Sequence, residues 1–173
     1  MQKILFFIIL AIMFLSCTSQ KTTPTAVGSV DLEKYTGLWY EVASFPASFQ
    51  RGCHCTTAEY RLTDKGWVRV INRCRRNAVD GKESSVRGRA YPVEGSNNTK
   101  LKVQFFWPFR GDYHIIMLAE DYSWAVVVSG TSYLWILSRS PKMDENLLED
   151  LTIKLNAKGY DMSRLQRTVQ QCG

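Results

Sequence analysis

The chain has 173 residues, with 22 Lys or Arg against 16 Asp or Glu, so its formal net charge is +6. This length indicates one domain after a short N-terminal region, and the basic excess would suit an anionic partner. Nucleic acid is not expected as that partner, because the sequence contains neither a nucleic-acid recognition motif nor an aromatic stacking platform.

The N-terminal region has the layout of an export signal. Lys3 precedes an apolar run over residues 4–15, which is too short to form a stable transmembrane helix. The segment Leu15-Ser16-Cys17 then resembles a bacterial lipobox, in which the cysteine becomes the lipidated first residue. We expect a signal peptide over residues 1–16 and a lipidated tether over 17–30, with secretion without a lipid as the alternative.

The central part of the chain has the pattern of an all-β domain. After a short helical turn at residues 31–35, the hydrophobic period changes to two, which is typical of strands. This succession predicts an antiparallel up-and-down barrel of eight strands, over about 37–138, that can hold one small ligand. The predicted strands cover residues 39–45, 56–62, 67–72, 84–91, 101–107, 113–119, 124–129 and 133–138.

One amphipathic helix is predicted after the barrel, over about residues 143–158. Asp144 can cap its N-terminus, Gly159 can end it, and leucines recur between them near helical spacing. We expect these leucines to pack on the outside of the barrel, followed by a C-terminal tail over 160–173.

The cysteines favour disulfides over metal binding. The segment Cys53-His54-Cys55 could suggest a metal site, but its spacing is poor for zinc, and the only other histidine is His114. We therefore expect no metal and no cofactor. Four cysteines follow Cys17, an even number in an exported chain: Cys53, Cys55, Cys74 and Cys172.

Three ordered blocks carry a resemblance to a known family. They are Gly37-Leu38-Trp39-Tyr40-Glu41-Val42-Ala43 as a G-x-W block, Glu120-Asp121-Tyr122 in the place of T-D-Y, and Leu134-Trp135-Ile136-Leu137-Ser138-Arg139. Over residues 31–173 the chain resembles the lipocalins, specifically the bacterial outer-membrane lipocalins of the Blc type, and more distantly apolipoprotein D. Glu120 departs from the usual threonine.

The resemblance implies that Gly37, Trp39 and Arg139 close one end of the barrel, with Arg139 stacked on Trp39. Comparison with apolipoprotein D implies a disulfide between Cys55 and Cys172. Cys53 and Cys74 lie near one end of a hairpin and could form the second disulfide. Strict alternation puts Cys74 inside and Cys53 outside, so this pairing requires a bulge.

The interior is expected to be an apolar cup for an elongated ligand. Alternation directs some side chains inward, the resemblance adds others, and an inward Arg139 would bring Tyr133 and Trp135 inside. The alternative is a barrel filled by its own aromatics, against which the small residues argue. The expected lining residues are Ala58, Tyr60, Gly88, Ala90, Val103, Phe105, Trp107, Ile115, Met117, Ala125, Val127, Tyr133 and Trp135.

The open end is expected to carry cations. The connections 47–52, 75–82, 108–112 and 130–132 should surround the mouth, and Arg51, Arg75, Arg76 and Arg110 fall in or beside them. A cationic rim would suit a fatty acid or a lysophospholipid, whereas the alternative is an ordinary solvated surface on a basic protein.

No catalytic activity is expected. A free Cys74 at the mouth would allow a thiol enzyme, but no companion histidine is in place, and Glu41 is the single carboxylate expected in the cup. The expected function is binding, storage or transport of a small lipid-like ligand by a lipid-anchored protein of the bacterial outer membrane. A haem or pigment binder, a structural envelope protein and a homodimer stay open.

Overall fold

The computed structural model describes residues 25–172, so the expected signal peptide and the expected lipidation site Cys17 lie outside the described residues. The two α-helices are α1 (Leu32–Tyr35) and α2 (Glu145–Ala157), and single 3-10 turns lie at Ser48–Gln50 and Met162–Arg164. The strands are β1 (Thr25–Ala26), β2 (Gly37–Ser44), β3 (Cys53–Leu62), β4 (Val68–Arg76), β5 (Glu83–Pro92), β6 (Lys100–Gln104), β7 (Gly111–Leu118), β8 (Trp124–Ser129), β9 (Tyr133–Ser138) and β10 (Gln166–Arg167).

Strands β2 to β9 form a closed antiparallel barrel. Each pairs with the next along the chain, and β9 pairs back with β2, so the predicted eight-stranded meander is confirmed. The two-residue strand β1 pairs with the end of β7, beyond the residues of β7 that pair with the start of β6. The closed end of the barrel therefore lies where β2 begins and β9 ends.

A C-terminal tail completes the barrel wall between β2 and β3. These strands pair only over Gly37 to Tyr40, close to the closed end. Farther toward the mouth, β10 pairs with β2, and the backbone N–H of Cys55 donates to the carbonyl oxygen of Val169 at 2.7 Å. The tail thus supplies the hydrogen bonds that the two strands do not give each other.

Helix α2 covers the outside of β8 and β9, as expected from its leucines. The Asp144 side chain accepts from the backbone N–H of Leu147 at 3.0 Å and caps the helix. Leu148, Leu151 and Leu155 are buried against apolar side chains on the outer faces of these two strands. Both faces of β8 and β9 are consequently apolar, which explains their unbroken hydrophobic sequences.

Bulges interrupt the pairing of β2, β3 and β7, and those in β3 and β7 bear on the predicted side-chain directions. In β3 the register shifts between His54 and Thr57, and Cys55 has a φ of 52°. This bulge lets Cys53 join Cys74, so that disulfide is present, as is the disulfide between Cys55 and Cys172.

No helix among residues 25–172 is long and apolar enough to cross a membrane.

The bulge in β7 corrects one of the expected lining residues. The register of β7 shifts between Ile115 and Met117, so Ile115 packs in the interior cluster while Met117 joins the outer cluster beneath α2. The expectation that Met117 faces the cup is therefore wrong, because one extra residue reverses the alternation beyond it.

Candidate functional site

The closed end is sealed by Arg139 and Trp39. The guanidinium carbon of Arg139 lies 3.8 Å from the ring centroid of Trp39, and its Nη1 and Nη2 donate to the carbonyl oxygens of Leu38 and Lys34 at 2.9 and 2.8 Å. Gly37 has a φ of +96°, and a Cβ there would lie 3.2 Å from Arg139 Nη1. A larger residue at this position would strain the backbone and crowd the seal.

Three tyrosines form the floor above this seal. The hydroxyl of Tyr113 is 2.8 Å from that of Tyr35 and 3.0 Å from that of Tyr60. Burial raises the pKa of Tyr60 to about 12, and burial likewise raises the pKa values of Tyr35 and Tyr113 well above their ordinary value. The floor is therefore uncharged, and the small cavity beside it has room for about one water molecule.

Most of the expected lining residues share one interior cluster. Its members are apolar or aromatic, come from all eight barrel strands, and contain no ionised side chain. Among the expected residues, this cluster brings together Ala58, Tyr60, Ala90, Val103, Phe105, Ile115, Ala125, Val127 and Trp135. Tyr133 stacks on Trp135 nearer the mouth, with ring centroids 5.9 Å apart.

The space beside Gly88 is occupied by an aromatic ring. A Cβ on Gly88 would lie 2.7 Å from Cδ1 of Phe105 and 2.8 Å from the carbonyl oxygen of Gln104. The glycine thus allows the ring of Phe105 to lie against β5.

Trp107 does not line the cup. Strand β6 ends at Gln104, and the alternation that predicted an inward Trp107 stops where the chain leaves the sheet. The Trp107 side chain is 86% exposed, beside the exposed Phe106 and Phe109. The expectation for Trp107 is wrong, because the two-residue period holds only while the backbone stays paired.

A hydrogen-bond network around Glu41 lies in the upper wall. Glu41 is 5% exposed, and its Oε1 accepts from the hydroxyls of Ser44 and Thr168 at 2.9 and 2.6 Å. Its Oε2 accepts from Gln50 Nε2 at 2.7 Å, while Gln50 Oε1 accepts from Trp135 Nε1 at 2.9 Å. Glu41 therefore holds the tail and a mouth loop in place.

The sequence analysis did not identify Gln50 and Thr168 as part of the site. Gln50 lies in a polar loop and Thr168 in the tail, and no local pattern distinguishes them. The available signal was indirect: a carboxylate expected inside a barrel needs several donors, which distant segments must supply.

Two more polar atoms are buried in the wall without a protein partner. Among the described residues, Thr56 Oγ1 and Asn72 Oδ1 are the buried side-chain atoms that make no hydrogen bond. Asn72 lies opposite Ala58 in the β3–β4 register, whereas Thr56 lies within the register shift of β3. An unpartnered buried polar atom costs about 1–3 kcal/mol, and water or a ligand in the cup could remove that cost.

Comparison with known proteins identifies the family. A family model described as a lipocalin-like domain matches residues 30–170. The chain belongs to the lipocalin family. It is 36% identical over 171 residues to the outer membrane lipoprotein Blc of Vibrio cholerae, covering 98% of this chain and 99% of that protein.

More distant proteins share the lipocalin fold. Apolipoprotein D of Mus musculus is 33% identical over 157 residues, covering 86% of this chain and 81% of that protein. The crystal structure of lobster apocrustacyanin A1 superposes with a TM-score of 0.64 at 23% identity, covering 80% of this chain and 78% of that one.

The arginines expected at the mouth of this lipocalin lie in two environments. Arg51 is exposed on a mouth loop, and Arg76 Nη1 donates to its carbonyl oxygen at 3.2 Å. Arg75 lies opposite Glu83 in the β4–β5 register. Arg110 stacks on Tyr91 with its guanidinium carbon 4.8 Å from the ring centroid, which directs it onto the outer surface.

The described part of the lipocalin domain offers little support for a thiol enzyme or for a metal site. All four cysteines of the described chain are in disulfides, so Cys74 is not a free nucleophile. Within residues 25–172, no group of three or more His, Cys, Asp or Glu side chains is arranged to hold a metal ion.

Proposed function

We propose that this lipocalin binds a small hydrophobic or amphiphilic molecule inside its barrel. The observation that supports this proposal is the apolar inner wall, which is closed below by Trp39 and Arg139 and bounded above by four loops. An apolar wall with a few polar groups near its entrance suits a fatty acid or a lysophospholipid, and such a ligand would enter as interior side chains move, because the cavity beside the tyrosine floor has room for about one water molecule. The tail of such a ligand would lie toward the tyrosine floor.

The charged head of the ligand is assigned to the mouth, beside Arg51 and Arg76. Each cation would attract a carboxylate or a phosphate, and the attraction should weaken as salt rises. Arg75 and Arg110 are expected to contribute less, because one lies opposite Glu83 and the other stacks on Tyr91.

The rim assignment predicts a selective loss of affinity. The double variant R51Q/R76Q should bind oleate about fivefold more weakly and with less salt dependence, as measured by displacement of a fluorescent fatty acid. The matched control R69Q/R87Q removes two exposed arginines on the outer face of β4 and β5 and should behave like the wild type. Equal affinity and equal salt dependence in all three proteins would exclude a rim made of Arg51 and Arg76.

The cellular site is proposed to be the bacterial outer membrane, with a lipid on Cys17. This proposal is supported by the lipobox-like Leu15-Ser16-Cys17 and by the names of the Blc relatives. Cys17→Ser should abolish palmitate labelling and release the protein from the membrane fraction. A labelled or membrane-retained variant would contradict the anchor. Mass spectrometry of organic extracts from the wild-type protein would identify the ligand.

A further inference from the structure

The mouth of the barrel carries exposed aromatic side chains. Five large apolar side chains are more than half exposed in the described chain, and four of them, Phe49, Phe106, Trp107 and Phe109, lie on mouth loops. The fifth is Ile153, on the outer side of α2. An accumulation of apolar side chains in water at one end of a protein marks a surface that a partner covers.

Two loops carry these aromatics, at residues 45–52 and 105–110. They connect β2 to β3 and β6 to β7, so four barrel strands separate them in either direction and they lie on opposite sides of the opening. Phe105 points into the interior cluster, whereas the three aromatics that follow it project away from the barrel. The aromatics therefore flank the mouth without filling it.

The charge of these two loops is also distinctive. Each contains one exposed arginine, Arg51 or Arg110, and neither contains a carboxylate. Aromatic rings beside cations are the side chains that enter the interface of an anionic bilayer, where rings lie among the headgroups and cations meet phosphates.

We propose that the mouth binds the surface of an anionic bilayer through the loops 45–52 and 105–110. A lipid-like ligand then passes between the bilayer and the cup without crossing water. This inference rests on the ligand class proposed above. A second copy of the chain fits less well, because a mouth-to-mouth dimer would bring arginine-bearing loops together.

The proposed N-terminal anchor permits this orientation. Thr25 pairs with Leu118 at the closed end, so the tether joins the barrel on the side away from the mouth. The eight steps from Cys17 to Thr25 reach at most about 26–29 Å. The longest barrel strand has ten residues, which corresponds to about 25 Å along the barrel axis at the usual strand tilt. A tether of this length would therefore reach from the closed end to the mouth when fully extended.

Quenching of Trp107 tests contact between the mouth and lipid. The full-length processed protein is incorporated into phosphatidylcholine vesicles, with or without phosphatidylglycerol, whose acyl chains carry bromine near the headgroup. Trp39 and Trp124 are buried, and Trp107 is the most exposed of the large hydrophobic side chains. Bromine should quench the wild type in the anionic vesicles, and the quenching should disappear in Trp107→Phe, which keeps the aromatic ring.

Two results would overturn the proposal. One is the absence of quenching in the wild type. The other is a sedimenting dimer that W107S or F106S dissociates, because the aromatics would then be covered by a second copy.

Ligand transfer separates membrane contact from ligand binding itself. The variant F106S/F109S should take up a fluorescent fatty acid from anionic vesicles at least about tenfold more slowly than the wild type. Its affinity for the same fatty acid in vesicle-free solution should stay within about twofold, because neither ring lies in the interior cluster. Ile153→Ser is the matched control and should transfer at the wild-type rate.

The outcomes of this experiment are distinguishable. Unchanged transfer in F106S/F109S, with binding intact, overturns the membrane contact and leaves the binding function standing. Loss of fatty-acid binding by the wild type itself overturns the proposed function. Equal slowing by Ile153→Ser would also overturn the contact, because a general loss of apolar surface would then be the cause.

Discussion

At the scale of single residues, Glu41 has a structural task. Its carboxylate is buried in the barrel wall and accepts from Ser44, Gln50 and Thr168, which come from three separate segments. A buried charge is tolerated when several donors surround it, and here those donors tie the tail and a mouth loop to β2. The same bonds occupy both oxygens, so Glu41 is poorly placed to act as a general base.

The buried tyrosines predict a fall in stability at alkaline pH. The pKa of Tyr60 is about 12 in the folded protein, whereas an unfolded tyrosine titrates near 10. The unfolded chain therefore loses this proton first as pH rises. The free energy of unfolding should fall between about pH 10 and pH 12, by about 1.4 kcal/mol per pH unit for this group.

Urea unfolding at several alkaline pH values would measure this slope. Tyr60→Phe removes one titrating group, so the free energy of unfolding should fall less steeply in the variant than in the wild type. Identical slopes would show that Tyr60 does not contribute.

At the scale of strands, the outer face of the barrel carries a row of like charges. Arg61, Arg69 and Arg89 lie directly opposite one another on β3, β4 and β5. Glu59 forms ion pairs with Arg61 at 2.5 Å and with Arg73 at 2.9 Å. Arg69, at the centre of the row, therefore has an arginine on each side.

Arg69→Gln should stabilise the protein. Like charges directly opposite in a sheet destabilise it, so the variant should gain about 0.2–1 kcal/mol in its free energy of unfolding at low salt, measured by urea titration. The gain should shrink as salt is added. Arg73→Gln, the matched control, removes a partner of Glu59 and should give no gain. A destabilised Arg69→Gln would contradict the proposed repulsion.

The strands also show how far sequence patterns extend. A two-residue period located all eight barrel strands, because one face of each must be apolar to cover the interior. The pattern failed at Met117 and Trp107, where a bulge or the end of a strand changes the backbone. Bulges and strand ends depend on pairing partners, which a local pattern does not contain.

The same limit applies to the candidate site. Trp39 and Arg139 could be matched through sequence blocks, because the family resemblance supplied their pairing. The Gln50 bridge between Trp135 and Glu41 had no such block. Its geometry depends on how a polar loop folds over the mouth, which the flanking residues leave undetermined.

At the scale of the whole molecule, the two disulfides should contribute unequally. They link residues separated by 117 positions (Cys55 to Cys172) and by 21 positions (Cys53 to Cys74). A longer loop removes more entropy from the unfolded chain, which gives about 5 kcal/mol for the first and about 3 kcal/mol for the second. C55S/C172S should therefore lose more stability in urea titration than C53S/C74S. Equal losses would contradict the entropic account.

The tail that completes the barrel wall also orders the assembly of the protein. Gln170 Nε2 donates to the carbonyl oxygens of Glu41 and Thr56, both at 2.8 Å, and Cys172 is bonded to Cys55. During synthesis, Cys55 emerges 117 residues before its partner, while Cys53 and Cys74 emerge with it or soon after. The wall between β2 and β3 consequently stays incomplete until the end of the chain arrives. Until then the partly folded barrel has an opening in its side as well as one at its mouth.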